Sequence, residues 1–371
     1  MEDLGMIDVA FWRGRRVLVT GHTGFKGGWL SLWLKRLGAE VVGYALPPAT
    51  SPSLFEAAGV ASDLAENVFG DIRDVNRLCD VIRRSRPEIV IHMAAQALVR
   101  ASYDDPIETY SVNVLGTATL LEAIRRSSGV RAVVSVTSDK CYENREWVWG
   151  YREAERLGGF DPYSSSKACA ELVTAAMRNS FFNPASYSEH RVAIASARAG
   201  NVIGGGDWAV DRIVPDLVRA FTEGRAAAVR RPDAVRPWQH VLEPLSGYLL
   251  LAERLYQSGA AYAEAWNFGP GESDAREVGW LAKRVAELWG NGAHWTGDRG
   301  SHPHEATFLK LDCSKARARL GWRSRWQLDR ALEATVAWYR AFYAAEDIRS
   351  LMFRQIEDYS KDAVVHAAEQ Q

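Results

Sequence analysis

A chain of 371 residues has room for one large domain, or for one domain with a sizeable second lobe. Its hydrophobic residues (47%) and charged residues (25%) occur in the balance that is usual in soluble globular proteins. A formal net charge of −1, no sustained basic run and no apolar window as long as a bilayer requires argue against a nucleic-acid-binding or membrane-spanning protein.

A glycine-rich turn joins the first predicted strand to the first predicted helix. The aliphatic strand Arg16–Thr20 stops at Gly21, Gly24 and Gly27 follow at equal intervals, and an apolar helical pattern covers 28–37. A turn without side chains lets the backbone approach a pyrophosphate, and the N-terminus of the helix attracts its negative charge. Glycine triplets also occur by chance, but this order of elements predicts a dinucleotide-binding site.

Strand and helix patterns continue to alternate through the first half of the chain. Further strands are predicted at 40–44, 89–93 and 132–137, and further helices at 76–84 and 111–126. Such alternation predicts an α/β fold, a doubly wound parallel sheet with helices on both faces. Active sites in such folds assemble at the C-terminal ends of the strands.

Two polar motifs follow the last of these strands. Residues 137–142 (Thr-Ser-Asp-Lys-Cys-Tyr) supply a hydroxyl, a carboxylate and an amine in succession. Tyr163 and Lys167 lie four residues apart, on one face of a predicted helix. The Lys167 ammonium is expected to lower the pKa of the phenol from about 10 towards neutrality, so that Tyr163 can take a proton from a sugar hydroxyl. Alone, the first motif would indicate a solvated turn, and the second occurs by chance on many helices.

The sequence changes in character beyond about residue 201. Glycine, proline and aromatic residues interrupt short elements at 204–208, 236–240 and 267–271. Loop-rich sequence of this kind suits a smaller lobe that forms around a substrate. The predicted organisation is a dinucleotide-binding domain over 11–200, a substrate lobe over 201–345 with some segments returning to the first domain, and a C-terminal helix and tail over 346–371. A helix is predicted at Leu328–Tyr343, and fraying over 364–371.

Together these motifs resemble the extended branch of the short-chain dehydrogenase/reductase superfamily, whose members modify nucleotide sugars. The Tyr-x3-Lys pair after a dinucleotide turn is the signature of that superfamily. Within the branch, the chain is most similar to the CDP-glucose 4,6-dehydratases, over about residues 11–345. The stretches that carry this similarity are 21–27, 138–142, 199–208, 236–240 and 304–306.

The resemblance implies NAD as the cofactor and assigns roles to individual residues. The implied cofactor-binding residues are Gly21, Gly24, Phe25, Lys26, Gly27, Asp71, Ile72, Ala94, Ala95, Gln96, Asn113, Thr137, Tyr163 and Lys167. The implied catalytic residues are Ser138, Asp139, Lys140, Tyr163 and Lys167. The implied substrate-binding residues are Ser138, Asn201, Arg212, Arg236 and His304. The second strand ends without the acidic residue that often binds the ribose of NAD, so the choice of NAD over NADP rests on the resemblance.

The reaction that the resemblance implies converts CDP-D-glucose to CDP-4-dehydro-6-deoxy-D-glucose and water. Tyr163 deprotonates the 4-hydroxyl while a hydride passes from C4 to NAD, with Ser138 and Lys167 polarising the oxygen. A base near Lys140 then removes the C5 proton while Asp139 protonates the departing 6-hydroxyl. The same hydride finally returns to C6, and a proton returns to C5. Lys140 stands where dTDP-glucose dehydratases carry a glutamate, and acts either as the base or as an electrostatic stabiliser of the enolate.

Two other functions stay open at this point. A 4,6-dehydratase or 4-epimerase for a dTDP-, GDP- or UDP-sugar would share the fold, the glycine turn and the tyrosine–lysine pair. A non-catalytic NAD(P)-binding regulator would share the fold as well, although such proteins tend to lose the tyrosine or the lysine. His302 and His304 suggest a metal site, but no third ligand lies near them in the sequence, and no metal is expected.

The remaining expectations concern location and assembly. The four cysteines are widely spaced, and the acidic N-terminal segment lacks the basic start of a signal peptide, so a cytoplasmic protein with reduced thiols is expected. By resemblance, the protein is expected to be a homodimer or homotetramer, with helices at 114–126 and 168–179 in the interface. The expected partner is the small-molecule substrate, with no nucleic acid and no membrane.

Overall fold

The computed structural model describes residues 6–298, 300 and 308–368, with side chains up to residue 362. The strands are β1 (Arg16–Thr20), β2 (Glu40–Ala45), β3 (Glu66–Phe69), β4 (Ile89–His92), β5 (Ala132–Val136), β6 (Ala193–Arg198), β7 (Val202–Ile203), β8 (Ala227–Val229), β9 (Val235–Pro237), β10 (Gln239–His240), β11 (Ala265–Asn267), β12 (Ala275–Glu277) and β13 (Trp295–Gly297). The α-helices are α1 (Val9–Trp12), α2 (Phe25–Arg36), α3 (Leu54–Ala57), α4 (Val75–Ser85), α5 (Val99–Asp104), α6 (Pro106–Tyr110), α7 (Gly116–Arg125), α8 (Pro162–Phe181), α9 (Tyr187–His190), α10 (Ile213–Thr222), α11 (Leu242–Ser258), α12 (Val278–Trp289), α13 (Leu328–Tyr343) and α14 (Ile348–Ala368).

Seven parallel strands form the central sheet, in the spatial order β11-β6-β5-β4-β1-β2-β3. β1 lies between β2 and β4, so the order of the strands reverses beside it. A doubly wound sheet binds its ligand in the crevice beyond the carboxyl ends of the strands at such a reversal. The predicted doubly wound α/β fold is therefore confirmed.

Helices cover both faces of this sheet, which is why its central strands β4 and β5 are buried along their whole length. One face packs against α2, α11 and α13, and the other against α4 and α7. Unlike an amphipathic surface helix, α2 is buried over 27–34, because α11 and α14 contact it.

Two predicted helices have different bounds in the structure. α2 begins at Phe25 rather than at residue 28, because Gly24 already serves as its N-cap. The predicted helix 111–126 is divided into a π-helical turn at Ser111–Leu115 and the α-helix α7. At the other end of the chain, 364–368 are helical rather than frayed, and 369–371 lie outside the described residues.

The second half of the chain contributes to both parts of the molecule. β11, which lies within the stretch 201–345, joins the central sheet beside β6. The remaining strands form three two-stranded sheets: β7 with β10, β9 with β12, and β8 with β13. Residues of these small sheets line the same cavity as the carboxyl ends of the central strands.

Candidate active site

The glycine turn is shaped by contacts that leave no space for side chains. A Cβ on Gly21, whose φ is +79°, would lie 2.7 Å from a backbone nitrogen after β4, and one on Gly27 would lie 2.1 Å from the Gly21 carbonyl oxygen. α2 therefore starts directly against the end of β1, with Gly24 as its N-cap and Phe25 and Lys26 in its first turn. The first N–H groups of a helix have no partner within it, so this turn fits a pyrophosphate, as predicted.

A cavity of about 1210 Å³ runs from this turn across the carboxyl ends of the strands to the small sheets. This volume exceeds the roughly 300–1,000 Å³ of an ordinary ligand pocket and has room for a dinucleotide beside a nucleotide sugar. The predicted site residues that line it are Gly21, Gly24, Phe25, Lys26, Gly27, Asp71, Ile72, Ala94, Ala95, Thr137, Ser138, Asp139, Lys140, Tyr163, Lys167, Asn201, Arg212 and Arg236. Gln96 and Asn113 are not among its lining residues, and His304 lies outside the described residues.

Asp71 and Ile72 form the wall of the cavity beyond β2 and β3. The Tyr44 hydroxyl donates a hydrogen bond to the Asp71 carbonyl oxygen at 2.7 Å, which fixes this loop to the end of β2. Arg73 forms an ion pair with Asp71 at 2.6 Å, and the hydrogen bonds that it donates lower the pKa of the Asp71 carboxyl group. The loop thus places a fixed, ionised carboxylate in the wall of the cavity.

Asn113 lies behind the cavity wall and connects two parts of the site. It is 2% exposed, accepts a hydrogen bond from the Gln96 backbone N–H at 2.9 Å, and donates to the Gln96 carbonyl oxygen at 3.0 Å. Its amide also donates to the Ser166 hydroxyl at 2.8 Å, and Ser166 donates to the Tyr163 carbonyl oxygen at 2.7 Å. Gln96 and Asn113 therefore join the loop after β4 to α8, and their contact with the cofactor stays a prediction.

Tyr163 and Lys167 lie together near the start of α8, as the spacing predicts. The Asp161 side chain caps the helix by accepting the Ser164 N–H at 2.9 Å. The Tyr163 N–H donates to the Ser102 hydroxyl at 3.1 Å. Both functional side chains line the cavity but are largely buried.

The pKa of the Tyr163 phenol is raised, in contrast to the sequence prediction. Burial raises it to about 12, while a hydrogen bond with Ser138 and the charge of Arg212 oppose that rise. Burial also lowers the pKa of Lys167 to about 8, and Cys141 and Glu171 oppose that change. The prediction that Lys167 lowers the pKa of the phenol towards neutrality is wrong as far as the protein's own groups determine this pKa. The loss of hydration on burial dominates the pKa values of both side chains.

Ser138 joins the phenol to a carboxyl group. Its hydroxyl accepts the Lys140 N–H at 3.2 Å and donates to Asp139 Oδ1 at 3.0 Å, and its proximity to the phenol lowers the pKa of Tyr163. Asp139 is 2% exposed, and its Oδ2 accepts a hydrogen bond from the Asn201 amide at 3.1 Å. The predicted catalytic residues therefore meet at one end of the cavity, with Lys140 half-buried in the same wall.

The Lys26 ammonium takes part in the electrostatics of this catalytic end. Burial lowers its pKa to about 8, and the positive charges of Arg212 and Lys167 lower it further. Asp139 and Asp207 oppose this shift. Lys26 was predicted as part of the glycine turn alone, but its charge interacts with residues of both the catalytic and the substrate ends.

The two arginines predicted for the substrate also line the cavity. Arg212 forms an ion pair with Asp207 at 2.7 Å and donates to the Ala97 carbonyl oxygen at 3.3 Å. Arg236 lies on β9 and donates to the Val235 carbonyl oxygen at 2.9 Å. Both guanidinium groups are thus fixed beside the cavity, where they can meet an anionic ligand.

Two groups of functional residues were missed from the sequence. Arg100 and Arg230 both pair with Asp211, at 3.3 and 2.6 Å, and all three line the cavity. They come from distant parts of the chain, so no spacing could indicate them. Glu171 is buried behind the site and accepts hydrogen bonds from Thr137, Ser196 and Arg198. Its position one helical turn beyond Lys167 is the signal that could have found it.

Neither a cluster of metal ligands nor a membrane-spanning helix is found in the described part of the chain. Within residues 6–298, 300 and 308–368, no three His, Cys, Asp or Glu side chains come together as metal ligands would. His302 and His304, the pair that suggests a metal, lie outside those residues. Among the described helices, none combines the length and the apolar character that a bilayer crossing needs.

The model of the family described as GDP-mannose 4,6 dehydratase matches residues 18–335. The chain belongs to this family. Its relatives include the CDP-glucose 4,6-dehydratase of Salmonella typhimurium, which is 57% identical over 354 residues that cover 95% of this chain and 98% of the relative.

Solved structures of the same fold include other nucleotide-sugar enzymes. The UDP-glucose 4-epimerase of Thermotoga maritima has a TM-score of 0.76 at 22% identity and covers 88% of this chain and 99% of its own. The dTDP-glucose 4,6-dehydratase of Streptomyces venezuelae, crystallised with NAD, has a TM-score of 0.72 at 24% identity. The match covers 90% of this chain and 99% of the Streptomyces chain. The family match runs from β1 into α13, and it confirms the resemblance that the motifs indicated.

Proposed function

We propose that this chain is an NAD-dependent CDP-D-glucose 4,6-dehydratase, a hydro-lyase that forms CDP-4-dehydro-6-deoxy-D-glucose and water. The observation that carries the proposal is that Asp139, whose Oδ1 accepts a hydrogen bond from the Ser138 hydroxyl at 3.0 Å, lines the same cavity as the Tyr163 phenol. A base for the 4-hydroxyl and an acid for the 6-hydroxyl therefore stand side by side in one buried site. A 4-epimerase has no use for the second group. The identity of 57% to the Salmonella CDP-glucose enzyme supports the choice of substrate.

NAD fits the other end of the cavity. When bound, it would supply a hydride acceptor for C4 and the source of the same hydride for C6. The glycine turn and the start of α2 would hold its pyrophosphate, and the loop at Asp71 and Ile72 its adenosine. The related dTDP-glucose dehydratase of Streptomyces venezuelae carries NAD, which supports this cofactor here.

Tyr163 removes the proton of the 4-hydroxyl in the first step. Burial disfavours the phenolate, so the protein has to stabilise it at the moment of proton transfer. The charge of Arg212 does this, and the Ser138 hydroxyl does so once its proton turns from Asp139 Oδ1 to the phenol oxygen, since both lower the pKa of the phenol. Lys167, one helical turn away, lines the same cavity, where its ammonium group would polarise the 4-oxygen.

Asp139 and Lys140 act in the loss of water. The 4-ketone makes the C5 hydrogen acidic, and a base near Lys140 removes it. Asp139 gives its proton to the departing 6-hydroxyl, so that water leaves and the carboxylate remains. The Lys140 ammonium can instead stabilise the enolate by its charge. Burial of the reacting groups keeps bulk water away from the reactive intermediate.

A direct assay tests the proposed function. The purified protein is incubated with NAD and CDP-, dTDP-, UDP- or GDP-glucose, and the product is examined for the alkali-induced absorbance of a 4-keto-6-deoxy sugar. We expect product from CDP-glucose in preference to the others. Substrate deuterated at C4 should give product with deuterium at C6.

The same assay separates the alternatives. Formation of a C4 epimer without loss of water would indicate an epimerase, and Asp139→Asn would then leave most of the activity. Binding of NAD without conversion of any nucleotide sugar would indicate a regulator. Loss of the C4 deuterium to solvent would contradict internal return of the hydride.

We also propose that the protein is a homodimer formed through α7 and α8. Leu115 and Leu172, which lie in the two segments predicted for the interface, are 60% and 57% exposed. Apolar side chains exposed to this extent on neighbouring helices favour a contact between two copies. Sedimentation of the purified protein should give the mass of a dimer or a dimer of dimers, and a monomer would refute this part of the proposal.

A further inference from the structure

We infer that the buried ion pair between Glu171 and Arg198 is a positioning device that fixes the catalytic stretch 138–140 at both of its ends. Neither residue is among those that line the cavity, so each acts through a neighbour rather than on the substrate. The inference rests on the proposed function, in which this stretch acts on the sugar. Three observations support it: the place of the pair, its contacts with the two ends of the stretch, and its charge beside Lys167.

The ion pair lies between α8 and β6, behind the site. Arg198 Nη2 lies 2.7 Å from Glu171 Oε2, and the two side chains are 4% and 3% exposed. A buried pair of this kind is seldom more stabilising than apolar side chains of similar size, because both charges lose their hydration. What it does provide is two charged groups in fixed directions, which form strong hydrogen bonds to the groups around them.

Glu171 holds the beginning of the catalytic stretch. Its Oε1 accepts a hydrogen bond from the Thr137 hydroxyl at 2.5 Å, and the Thr137 backbone N–H donates to the Ala197 carbonyl oxygen at 2.9 Å. Thr137 is thus attached to α8 by its side chain and to β6 by its backbone. The next residue is Ser138, whose hydroxyl donates to the Asp139 carboxyl group.

Arg198 holds the other end of the stretch. Its Nη1 donates to the Tyr142 hydroxyl at 2.7 Å and to the Glu153 carbonyl oxygen at 3.1 Å. The Tyr142 hydroxyl donates in turn to Asn267 Oδ1 at 2.8 Å, and Tyr142 is 1% exposed. One planar guanidinium group thus binds the carboxylate with one nitrogen and the phenol with another.

A single 3-10 helical turn, Asp139–Cys141, lies between these two ends. Its backbone hydrogen bonds are long, at 3.4 Å from the Cys141 N–H to the Ser138 carbonyl oxygen and 3.5 Å from the Tyr142 N–H to the Asp139 carbonyl oxygen. Because a turn of this kind has poor hydrogen-bond geometry, its position depends on the residues at its ends. The ion pair thereby sets where the Asp139 carboxyl group stands in the cavity.

Glu171 also supports the charge of Lys167, which lies one helical turn before it on α8. Burial lowers the pKa of Lys167 to about 8, and Cys141 and Glu171 oppose that change. His92 at the end of β4 and Lys26 on α2 also interact with the Lys167 charge. Loss of the Glu171 charge should therefore lower the pKa of Lys167 further, so that the ammonium group is lost at a lower pH.

Variants that cut the two contacts but keep the ion pair test the inference directly. Thr137→Val and Tyr142→Phe each remove one hydroxyl group, and together they should lower kcat by about 10- to 100-fold, since a misplaced acid slows the loss of water. Affinity for NAD, measured by fluorescence titration, should stay within about twofold. Ser196→Ala is the matched control, because the Ser196 hydroxyl donates to the same carboxyl group at 2.6 Å but lies outside the stretch. Its kcat should stay within about twofold of the wild type.

Variants of the pair itself separate positioning from folding. Glu171→Met and Arg198→Met each leave one buried charge without its partner and should lower the melting temperature, whereas the double variant should be more stable than either. Its kcat should nevertheless stay at least about tenfold below the wild type, because both contacts with the stretch are lost. The basic limb of its pH profile of kcat should also move to lower pH, since the Glu171 charge no longer opposes the effect of burial on Lys167.

The outcomes distinguish the possible failures. The inference predicts that the variant with both Thr137→Val and Tyr142→Phe turns over more slowly than Ser196→Ala, and equal kcat values would contradict it. A loss of NAD affinity as large as the loss of kcat/KM would show that Thr137 acts on the cofactor instead. Recovery of kcat together with the melting temperature in the double methionine variant would show that the pair serves folding alone. Each of these results would overturn the inference and leave the proposed function intact, whereas a wild-type protein that forms no 4-keto-6-deoxy sugar from CDP-glucose would overturn both.

Discussion

The residues around the cavity differ in how burial affects their charge. Burial favours the neutral forms of Tyr163, Lys167 and Lys26, whose pKa values are about 12, 8 and 8. Burial acts in the same sense on Glu171, but the charge and hydrogen bonds of Arg198, with further hydrogen bonds from neighbouring hydroxyl groups, outweigh it and lower the pKa of that carboxyl group. Glu171 is thus an ionised anchor behind the site. Through Thr137 it fixes the residue directly before the catalytic Ser138.

Replacing Tyr163 by phenylalanine should remove the group that accepts the first proton and should leave the packing of the ring unchanged. We expect Tyr163→Phe to lower kcat by about 10²- to 10⁴-fold, the usual contribution of a general base. The melting temperature should change little, because the buried ring remains. Turnover and thermal unfolding would be measured beside Tyr343→Phe, a tyrosine that is 43% exposed on α13 and outside the cavity lining. Retention of more than about a tenth of the wild-type kcat would contradict a role as the base.

At the scale of secondary-structure elements, the site depends on how closely α2 packs against β1. Gly27 and Gly28 lie side by side in the first turns of α2, yet their surroundings differ. A Cβ on Gly27 would meet the backbone of the turn, whereas one on Gly28 would meet only the Leu54 side chain, at 2.9 Å. A side chain can move aside, but the turn that receives the cofactor cannot move without losing its shape.

Gly27→Ala should therefore push α2 away from the turn and weaken NAD binding. We expect a loss of affinity of tenfold or more, about 1.4 kcal/mol, and a lower melting temperature. Gly28→Ala, one residue further on, should cost much less because Leu54 can adopt another rotamer. Fluorescence titration with NAD and thermal unfolding of both variants would check this. Equal effects of the two substitutions would show that contact with the turn is not what selects glycine at position 27.

The sequence predicts elements well where the pattern that forms them is local. The strand Arg16–Thr20 and the helix Leu328–Tyr343 have the predicted bounds, and the glycine turn follows from three residues at fixed spacing. β11 was not predicted, because a three-residue strand forms only by pairing with β6, far away in the chain. The helical spacing of Tyr163 and Lys167 placed them together, but spacing says nothing of burial, which sets their pKa values. The contact of Asn201 with Asp139 depends on the sheet bringing two strand ends together.

At the scale of the whole molecule, both ends of the described chain pack onto the part that carries the glycine turn. α14 is attached to it by an ion pair between Arg349 and Asp63 at 2.7 Å and by the ring of Tyr359, whose centroid lies 5.6 Å from that of Trp33 on α2. α1 is attached by Glu253 of α11, which accepts hydrogen bonds from Trp12 and the Asp8 N–H. The terminal helices thus support, from outside, the packing on which the cavity depends.

Glu253 makes this support dependent on pH. Burial raises the pKa of its carboxyl group from 4.5 to about 8, although the hydrogen bonds from Trp12 and Asp8 act in the opposite sense. Because the folded protein holds this proton more tightly than the unfolded chain, its stabilising contribution is complete below about pH 4.5 and is lost as the pH rises to about 8. Both hydrogen bonds are accepted by the same oxygen, Oε1, so a glutamine can keep them without carrying a charge.

Glu253→Gln should therefore stabilise the protein increasingly between pH 4.5 and pH 8 relative to the wild type. The expected gain in the free energy of unfolding at the upper end is about 2–5 kcal/mol, from about 1.4 kcal/mol for each unit of pKa shift. Melting temperatures of the two proteins across this range would measure it, with Glu357→Gln at a partly exposed ion pair as the control that should show no such trend. A difference that stays constant from pH 4.5 to pH 8 would mean that Glu253 is ionised in the folded protein throughout, and that α1 is attached by a buried charge.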